Sequence, residues 1–444
     1  MDITHAFIKY TDCLKTPSAE NADKFMNDVK TKDIAKDGFL HMGLCDTYKF
    51  KLWKIFGANM PVIRDYFGPL YIVTDTKTAE EVLKLVKNTH GDEKEQFIGN
   101  RSAKIIKKQV GKNNLFGCDK TDFHDDLRLN FKDALQDAFA KTDSLQTSIH
   151  KIMLPHVRTW LGKMSNFSNF ELKKAVDELV AIFFCVVLLG KNPSQTNLYD
   201  IINCANGFAK RVTSPVEKFK RLKTDLGDAR PDCSRSLYIQ IEAKNKDCGH
   251  EMILMLEKVG FGNIHSAISS MIYRIATAST QMMEELKGDI VTEEQHKYLN
   301  FNGEYTKKFF FETMRLAPPV WLQARKVGKN SVQINDTKLP PYTLVLIPNF
   351  ILARHIRKED PHDFNPDAVN DIERANFNPF SSQTSPNSCV GRYIAVPMME
   401  ILFGEMLSNY DLYPVHVTEE YKGKIALQFK NNMIFDLKHK NTIY

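Results

Sequence analysis

No stretch of the 444 residues stays apolar for the roughly 20 positions that a bilayer-spanning helix needs; the longest such run, Leu179 to Leu189, has 11. The start, Met1-Asp2-Ile3-Thr4-His5-Ala6, lacks the apolar region of a signal peptide. An intracellular chain, soluble or peripherally associated with a membrane, is therefore expected, with no transmembrane anchor. The eight cysteines are scattered, without a Cys-x-x-Cys pair or a Cys/His spacing that would close a zinc tetrahedron. That argues against a disulfide framework and a zinc module, and for reduced thiols. A long basic run is also missing: 60 basic against 54 acidic side chains leave a diluted net charge of +6, which speaks against nucleic acid as a partner while leaving room for an acidic partner at one face. Internal repeats and low-complexity tracts are absent.

What is present is ordinary core material. Hydrophobic residues make up 43% and charged residues 26%, and Trp is scarce at 3 but Phe reaches 29, which excludes disordered and collagen-like classes. The length requires one large domain or two to three ordinary ones. The first 45 residues are polar and weakly patterned. Leu70-Tyr71-Ile72-Val73 reads as a strand, and Thr78-Ala79-Glu80-Glu81, with a hydroxyl and a carboxylate three apart, fits a helix capping box. From about Asp122 to Leu299 apolar residues recur at three- and four-residue steps, broken at Gly190-Lys191-Asn192-Pro193 and near Ser214-Pro215, which predicts stacked helices. Ser331 to Ile334 and Thr343 to Pro348 predict a small sheet, with turns at Asn335-Asp336 and Pro340-Pro341. Residues 360 to 389 form a Pro/Asn/Ser-rich stretch without periodicity, long enough to suggest a functional loop. A helical pattern follows from Gly391 to Leu407.

Cys389 stands where that loop enters the helix, a place where backbone N–H groups and the helix dipole stabilise a thiolate. A lone loop cysteine is most often inert. Upstream, Glu312-Thr313-Met314-Arg315 puts a carboxylate and a guanidinium on one helix face, after Phe309-Phe310-Phe311 and before Pro318-Pro319. On a surface such a pair contributes little, but beside apolar bulk it needs a structural or functional role. Glu312-Thr313-Met314-Arg315-Leu316-Ala317-Pro318-Pro319-Val320, then Arg325, then Cys389-Val390-Gly391-Arg392, resembles the cytochrome P450 superfamily in its Glu-x-x-Arg helix and its haem-ligand loop.

The resemblance covers roughly residues 60 to 444. It implies a mainly α fold with a small β region: an N-terminal extension over 1–50 and one large helical catalytic domain over 51–444, with haem b between a long distal helix and the cysteine loop. It implies Cys389 as the axial metal ligand, its thiolate pushing electron density onto the iron, with Gly391 allowing close backbone approach. Glu312 and Arg315 would brace the ligand loop. Arg325, ten residues after Arg315, and His124-Asp125-Asp126-Leu127-Arg128, with His124 and Arg128 four apart, resemble the family's propionate grip. On the distal side, Phe261-Gly262-Asn263-Ile264-His265-Ser266 resembles the middle of the oxygen-side helix, with His265 at the family's acid position and Ser266 at the alcohol. A satisfied core histidine is the bland reading of His265.

Gly262-Asn263 is also similar to the pair in sterol-hydroxylating and prostacyclin-synthase branches. The loop Phe380 to Cys389 is about two residues longer than the family pattern, contains no glycine, and carries Asn387 where an arginine is common; Asn387 again resembles prostacyclin synthase. Phe364-Asn365-Pro366-Asp367-Ala368-Val369 stands in the Pro-Glu-Arg-Phe region without its arginine, which makes Arg374 a candidate partner for Glu312. Two reactions follow from the resemblance. One is a monooxygenase that takes electrons from NADPH or NADH through a reductase or ferredoxin and oxidises a hydrophobic small molecule of lipid, sterol or terpenoid type. The other is a reductase-independent isomerase or dehydratase of a fatty-acid hydroperoxide or endoperoxide, with Asn263 as a third catalytic candidate. A haem-binding sensor or carrier would leave Glu312, Arg315, His265 and Ser266 without purpose.

Overall fold

The computed structural model describes residues 16–31, 39–41, 69–85, 97–98, 115, 121–139, 143–167, 169–193, 198–203, 237–244, 248–293, 296–328, 330–368, 380, 389–423 and 426–440. In chain order the helices are α1 (Ala19–Thr31), α2 (Thr76–Leu85), α3 (Thr121–Phe139), α4 (Leu145–Asn166), α5 (Leu172–Phe183) and α6 (Leu237–Lys244). They continue as α7 (Gly249–Thr277), α8 (Thr280–Gly288), α9 (Glu304–Leu316), α10 (Asn349–Arg354) and α11 (Arg392–Asn409). The strands are β1 (Phe39–His41), β2 (Leu70–Ile72), β3 (Phe97–Ile98), β4 (Phe170–Glu171), β5 (Ile290–Glu293), β6 (His296–Leu299) and β7 (Gln323–Val327). After them come β8 (Val332–Ile334), β9 (Thr337–Leu339), β10 (Leu344–Ile347), β11 (Tyr410–His416), β12 (Tyr421–Gly423), β13 (Leu427–Phe429) and β14 (Ile434–His439). The chain divides into two units, one within 1–105, 311–389 and 420–430, the other within 106–310, 390–419 and 431–444.

The first unit is built on a five-stranded sheet in the order β1-β2-β10-β7-β3. Its centre is β10, whose four residues Leu344-Val345-Leu346-Ile347 are all buried, as a strand covered on both faces requires. It runs parallel to β2 and antiparallel to β7. Strand and helix follow at 70–85 as the sequence predicts, but the cap is different. Asp75 accepts from the Thr78 amide and hydroxyl, both at 2.7 Å, so the helix begins at Thr76, three residues before a box at Thr78 would start it. An acid one turn earlier caps the Thr78 amide instead. The Asn335-Asp336 turn joins β8 to β9, with Ile334 opposite Thr337 and Asn335 at a φ of 47°, a conformation asparagine tolerates. The β12–β13 hairpin lies flush on Trp321: a Cβ on Gly423 would meet its indole Cζ2 at 2.3 Å.

In the second unit the apolar run 179–189 completes α5 and a π-helical turn, Phe184–Leu188, all buried. The run fills a core, and no helix among the described residues is long and apolar enough to cross a membrane. The helical pattern predicted as far as Leu299 stops earlier, because α8 ends at Gly288 and residues 290–299 form the β5–β6 hairpin. Ile290-Val291-Thr292 is β-branched throughout, which favours strand over helix. This hairpin and α4 hold α11 in place. Glu400 accepts from Gln146 Nε2 at 2.7 Å, His150 Nε2 at 3.2 Å and the Phe301 amide at 3.3 Å. Glu405 accepts a two-pronged bond from Arg158, 2.9 Å on each side, and the Lys297 amide at 3.3 Å. Gly404 lets the backbones touch, since a Cβ there would stand 2.3 Å from Tyr298 Cα. The helix that follows Cys389 is thus anchored by buried carboxylates as well as by packing.

Candidate active site

The Glu-x-x-Arg pair lies at the C-terminal end of α9 with both side chains fully buried. The i,i+3 spacing brings them into a two-pronged bond: Arg315 Nε donates to Glu312 Oε2 at 2.7 Å and Nη2 to Oε1 at 2.8 Å. The remaining guanidinium hydrogens go to Arg354 O at 2.9 Å, Pro361 O at 2.7 Å and Asp363 O at 3.2 Å. All five donors of Arg315 are therefore used. Glu312 Oε1 also accepts from Arg357 Nη1 at 3.2 Å and from the Asn365 amide at 3.1 Å. The third member of this network is Arg357. Residue 374, the candidate that the sequence suggested, lies outside the described residues, and the position is closed from before the Phe364–Val369 segment. Arg354-His355-Ile356-Arg357 directly follows the apolar Phe350-Ile351-Leu352-Ala353, and two arginines at the edge of a core segment are the signal that could have pointed here.

Cys389 is exposed and stands three residues before α11. Its amide donates to Phe380 O at 3.0 Å, which ties the two ends of the ligand loop together; the lengthened part of the loop, including Asn387, lies outside the described residues. Gly391 has a φ of −67°, open to any residue, and its carbonyl accepts the Ala395 amide at 2.8 Å to start α11. Among the described cysteines, Cys185 and Cys248 are buried. Burial pushes the Cys185 thiol up to about 11, the wrong direction for a thiolate ligand.

Arg325 lies on β7, where the strand alternation leaves it half-buried. Its guanidinium donates to Ala324 O and Gln323 Oε1, both at 3.1 Å. Both partners are neutral, and burial lowers its pKa to about 10. A desolvated cation with neutral partners is what a bound anion would offset. His124 and Arg128 are one turn apart on α3; Arg128 is half-buried, and the His124 side chain lies outside the described residues.

The distal candidates all lie on α7, which runs unbroken for 29 residues, roughly 43 Å. His265 is turned toward α5: its Nε2 lies 3.4 Å from Lys173 O and 3.5 Å from Asp177 Oδ1. Burial holds its pKa below the ordinary imidazole value, an effect that Asp177 partly opposes. The ring is therefore neutral near pH 7. Its Nδ1 is buried without a hydrogen-bond partner among the described residues, and so is Asn263 Oδ1, whose amide nitrogen donates to Val259 O at 2.8 Å. At 100° per residue Asn263 and Ser266, three apart, share a face, and His265 lies about 160° from Asn263 around the helix. The structure thus groups Asn263 with Ser266 and sets His265 against α5.

A mainly helical body with small sheets, a buried Glu-Arg brace and an exposed cysteine before a helix agree with the arrangement that the sequence resemblance implies. Residues 264–433 match the family model for Cytochrome P450. A solved zebrafish cytochrome P450, in a structure with abiraterone, superposes with a TM-score of 0.64 at 12% identity, over 89% of this chain and 98% of that one. Cytochrome P450 3A12 of Canis lupus familiaris is 26% identical over 266 residues, 55% of this chain and 52% of the relative. Cytochrome P450 4g1 of Drosophila melanogaster is 27% identical over 146 residues, 31% of this chain and 26% of the relative. The chain spans about half, or less, of the length of the curated relatives it matches. Residues 264–433 thus carry a sequence likeness to cytochrome P450, and the chain shares the fold of that superfamily, whose proteins bind haem b. The residues fit that group in their chemistry: an exposed thiol in Cys389 as ligand, and a cation in Arg325 that no described carboxylate neutralises. Arg325→Ala should accordingly lower the haem bound per chain, measured by pyridine haemochrome, more than it alters the spectrum of the haem that remains. Unchanged occupancy would show that other groups hold the propionates.

Proposed function

We propose that the protein is a haem-thiolate monooxygenase that oxidises a hydrophobic small molecule of lipid, sterol or terpenoid type, using electrons delivered from NADPH or NADH by a reductase or ferredoxin. The observation that carries this reading is Cys389, exposed at the entry to α11 and preceded in the chain by the buried Glu312–Arg315–Arg357 network. The haem supplies oxygen activation when bound. The chain's own part on the ligand side is to hold the sulfur as thiolate, aided by the positive end of α11. On the distal side Ser266 offers a hydroxyl that both donates and accepts. His265, neutral because it is buried, carries a hydrogen on one nitrogen and accepts on the other, so it can pass a proton between the Asp177 side and Nδ1.

A second reading is favoured by Asn263, whose buried Oδ1 has no partner among the described residues and shares a face with Ser266. An acceptor there suits a hydroperoxide O–H, and a peroxide rearrangement needs neither reductase nor dioxygen. The two readings separate on two variants. For a monooxygenase, Ser266→Ala should uncouple turnover, with electrons still consumed and hydrogen peroxide appearing in place of product. Asn263→Ala should then have the smaller effect. Product from a fatty-acid hydroperoxide without any reductase, abolished by Asn263→Ala and untouched by Ser266→Ala, would establish the rearrangement instead.

A further inference from the structure

Asp23, His355 and His362 bring three donor atoms of metal-ligand type within 4.8 Å of one another. His362 Nε2 lies 2.8 Å from Asp23 Oδ1, and His355 Nε2 lies 3.3 Å from the same oxygen. A tetrahedral zinc ion with bonds of its usual length holds its donor atoms about 3.3 to 3.4 Å apart, so the carboxylate oxygen already stands near that spacing from both imidazoles. The two rings meet edge to face, at 88° and 5.9 Å between centroids, which lets both nitrogens approach one point without stacking. All three residues are partly open to solvent, the Asp23 side chain at 45%. A cation can therefore enter, and water can complete its shell.

The site is also braced from behind. His355 ends α10, and His362 stands between Pro361 and Asp363, whose carbonyls are both held by the buried Arg315. The loop that presents the imidazoles is thus fixed by that buried network, while α1, which packs on α10, supplies Asp23. Donors positioned by such an outer shell bind with less ordering cost.

We propose that Asp23, His355 and His362 form a binding site for a divalent cation of the zinc class, which joins α1 to the loop after α10. Two imidazoles and one carboxylate select zinc, cobalt or nickel over calcium and magnesium, which prefer oxygen alone. Binding has a defined proton balance. His362 Nε2 is the atom placed against Asp23, so when the cation takes that nitrogen its hydrogen passes to solvent and Nδ1 takes one up, which keeps the imidazole neutral. Arg354 Nη1 lies 3.2 Å from His362 Nδ1 and must then release it; Arg354 keeps its bond to Leu316 O at 2.7 Å and its place over the Phe350 ring. Affinity should fall with acid as the imidazoles protonate.

The test is zinc titration of the chelator-treated, haem-loaded full chain, followed by calorimetry and by metal analysis after dialysis at about 10 μM zinc. Wild type should hold one equivalent more than the His355→Ala/His362→Gln double variant, and calcium should not compete. Asp23→Asn keeps an oxygen that accepts from His362 Nε2, so a hydrogen-bonded tether survives it, whereas zinc binding should weaken by at least about tenfold. Far-UV circular dichroism and haem content check that each variant is folded. Equal zinc content in wild type and Asp23→Asn, or none in either, would overturn the proposal and leave the cluster as a hydrogen-bonded contact. Because zinc is counted directly, this outcome is independent of the reaction the haem supports.

Discussion

Replacing Glu312 by alanine should leave little folded, haem-loaded protein. The carboxylate is fully buried and accepts from Arg315 twice, from Arg357 and from the Asn365 amide. Its loss strands two guanidinium ions inside the first unit, and breaking a buried pair in this way costs about 3 to 5 kcal/mol. Net stabilities of folded domains are only about 5 to 15 kcal/mol, so a large share of the total disappears with one side chain. The damage also spreads, because Arg315 organises the carbonyls of residues 354, 361 and 363. Glu312→Gln keeps the shape and one acceptor and should fall between alanine and wild type. Arg357→Ala removes one donor to Glu312 at 3.2 Å and one bond to Asp363 O at 3.0 Å, strands no charge, and should cost less than either. Soluble yield, haem per chain and the urea midpoint measure the series; wild-type values for Glu312→Ala would mean that the network is dispensable.

Much of this arrangement was legible in the sequence, and the parts that were not have physical reasons. Local signals carried well: β-branched and aromatic runs marked β2 and β10, Asn335-Asp336 marked the β8–β9 turn, and three- and four-residue apolar steps marked the helical stretch that contains α7. The β5–β6 hairpin was hidden because its four-residue strands follow α8 after a single residue and are stabilised by distant groups, among them Glu400 and Glu405 on α11. The start of α2 was misplaced because Asp75 and Thr78 are both good caps, and only the structure shows which oxygen reaches the free amide.

The site divides along the same line. Residues fixed by short spacing, Glu312 with Arg315 and Asn263 with Ser266, can be placed on common helix faces from the sequence alone. Arg357 could not be, since its link to Glu312 spans 45 residues and follows no repeat. His265 shows the opposite problem. Its place in the helix is evident from the sequence, but its direction is set by Lys173 and Asp177 on α5, 92 and 88 residues away. A helical position specifies a face, and the neighbour packed on that face decides what the side chain can do. Asp23 is separated from His355 and His362 by more than 330 residues, and no spacing rule would have joined it to them.

The largest functional loss is expected at Cys389. A thiolate ligand has to be reachable, positioned and ionised, and the described cysteines differ on the first and last of these. Cys185 is buried with its thiol pushed up to about 11, Cys248 is buried, and Cys389 is exposed at the entry to α11. The helix dipole favours negative charge at that end, and the bond from the Cys389 amide to Phe380 O closes the loop that carries the sulfur. Cys389→Ala leaves that backbone bond and the α11 anchors at Glu400 and Glu405 in place, so the variant should fold with a thermal midpoint close to wild type. It should nevertheless lose the red-shifted Soret band of the reduced carbon monoxide complex and fall to background in reductase-driven turnover, because the other described cysteines are buried and alanine supplies no electron push of the thiolate kind. Cys185→Ala should keep both signals and lose stability alone, through the small cavity it opens in the π-helical turn. A Cys389→Ala protein that retained the red-shifted band would place the ligand elsewhere in the chain.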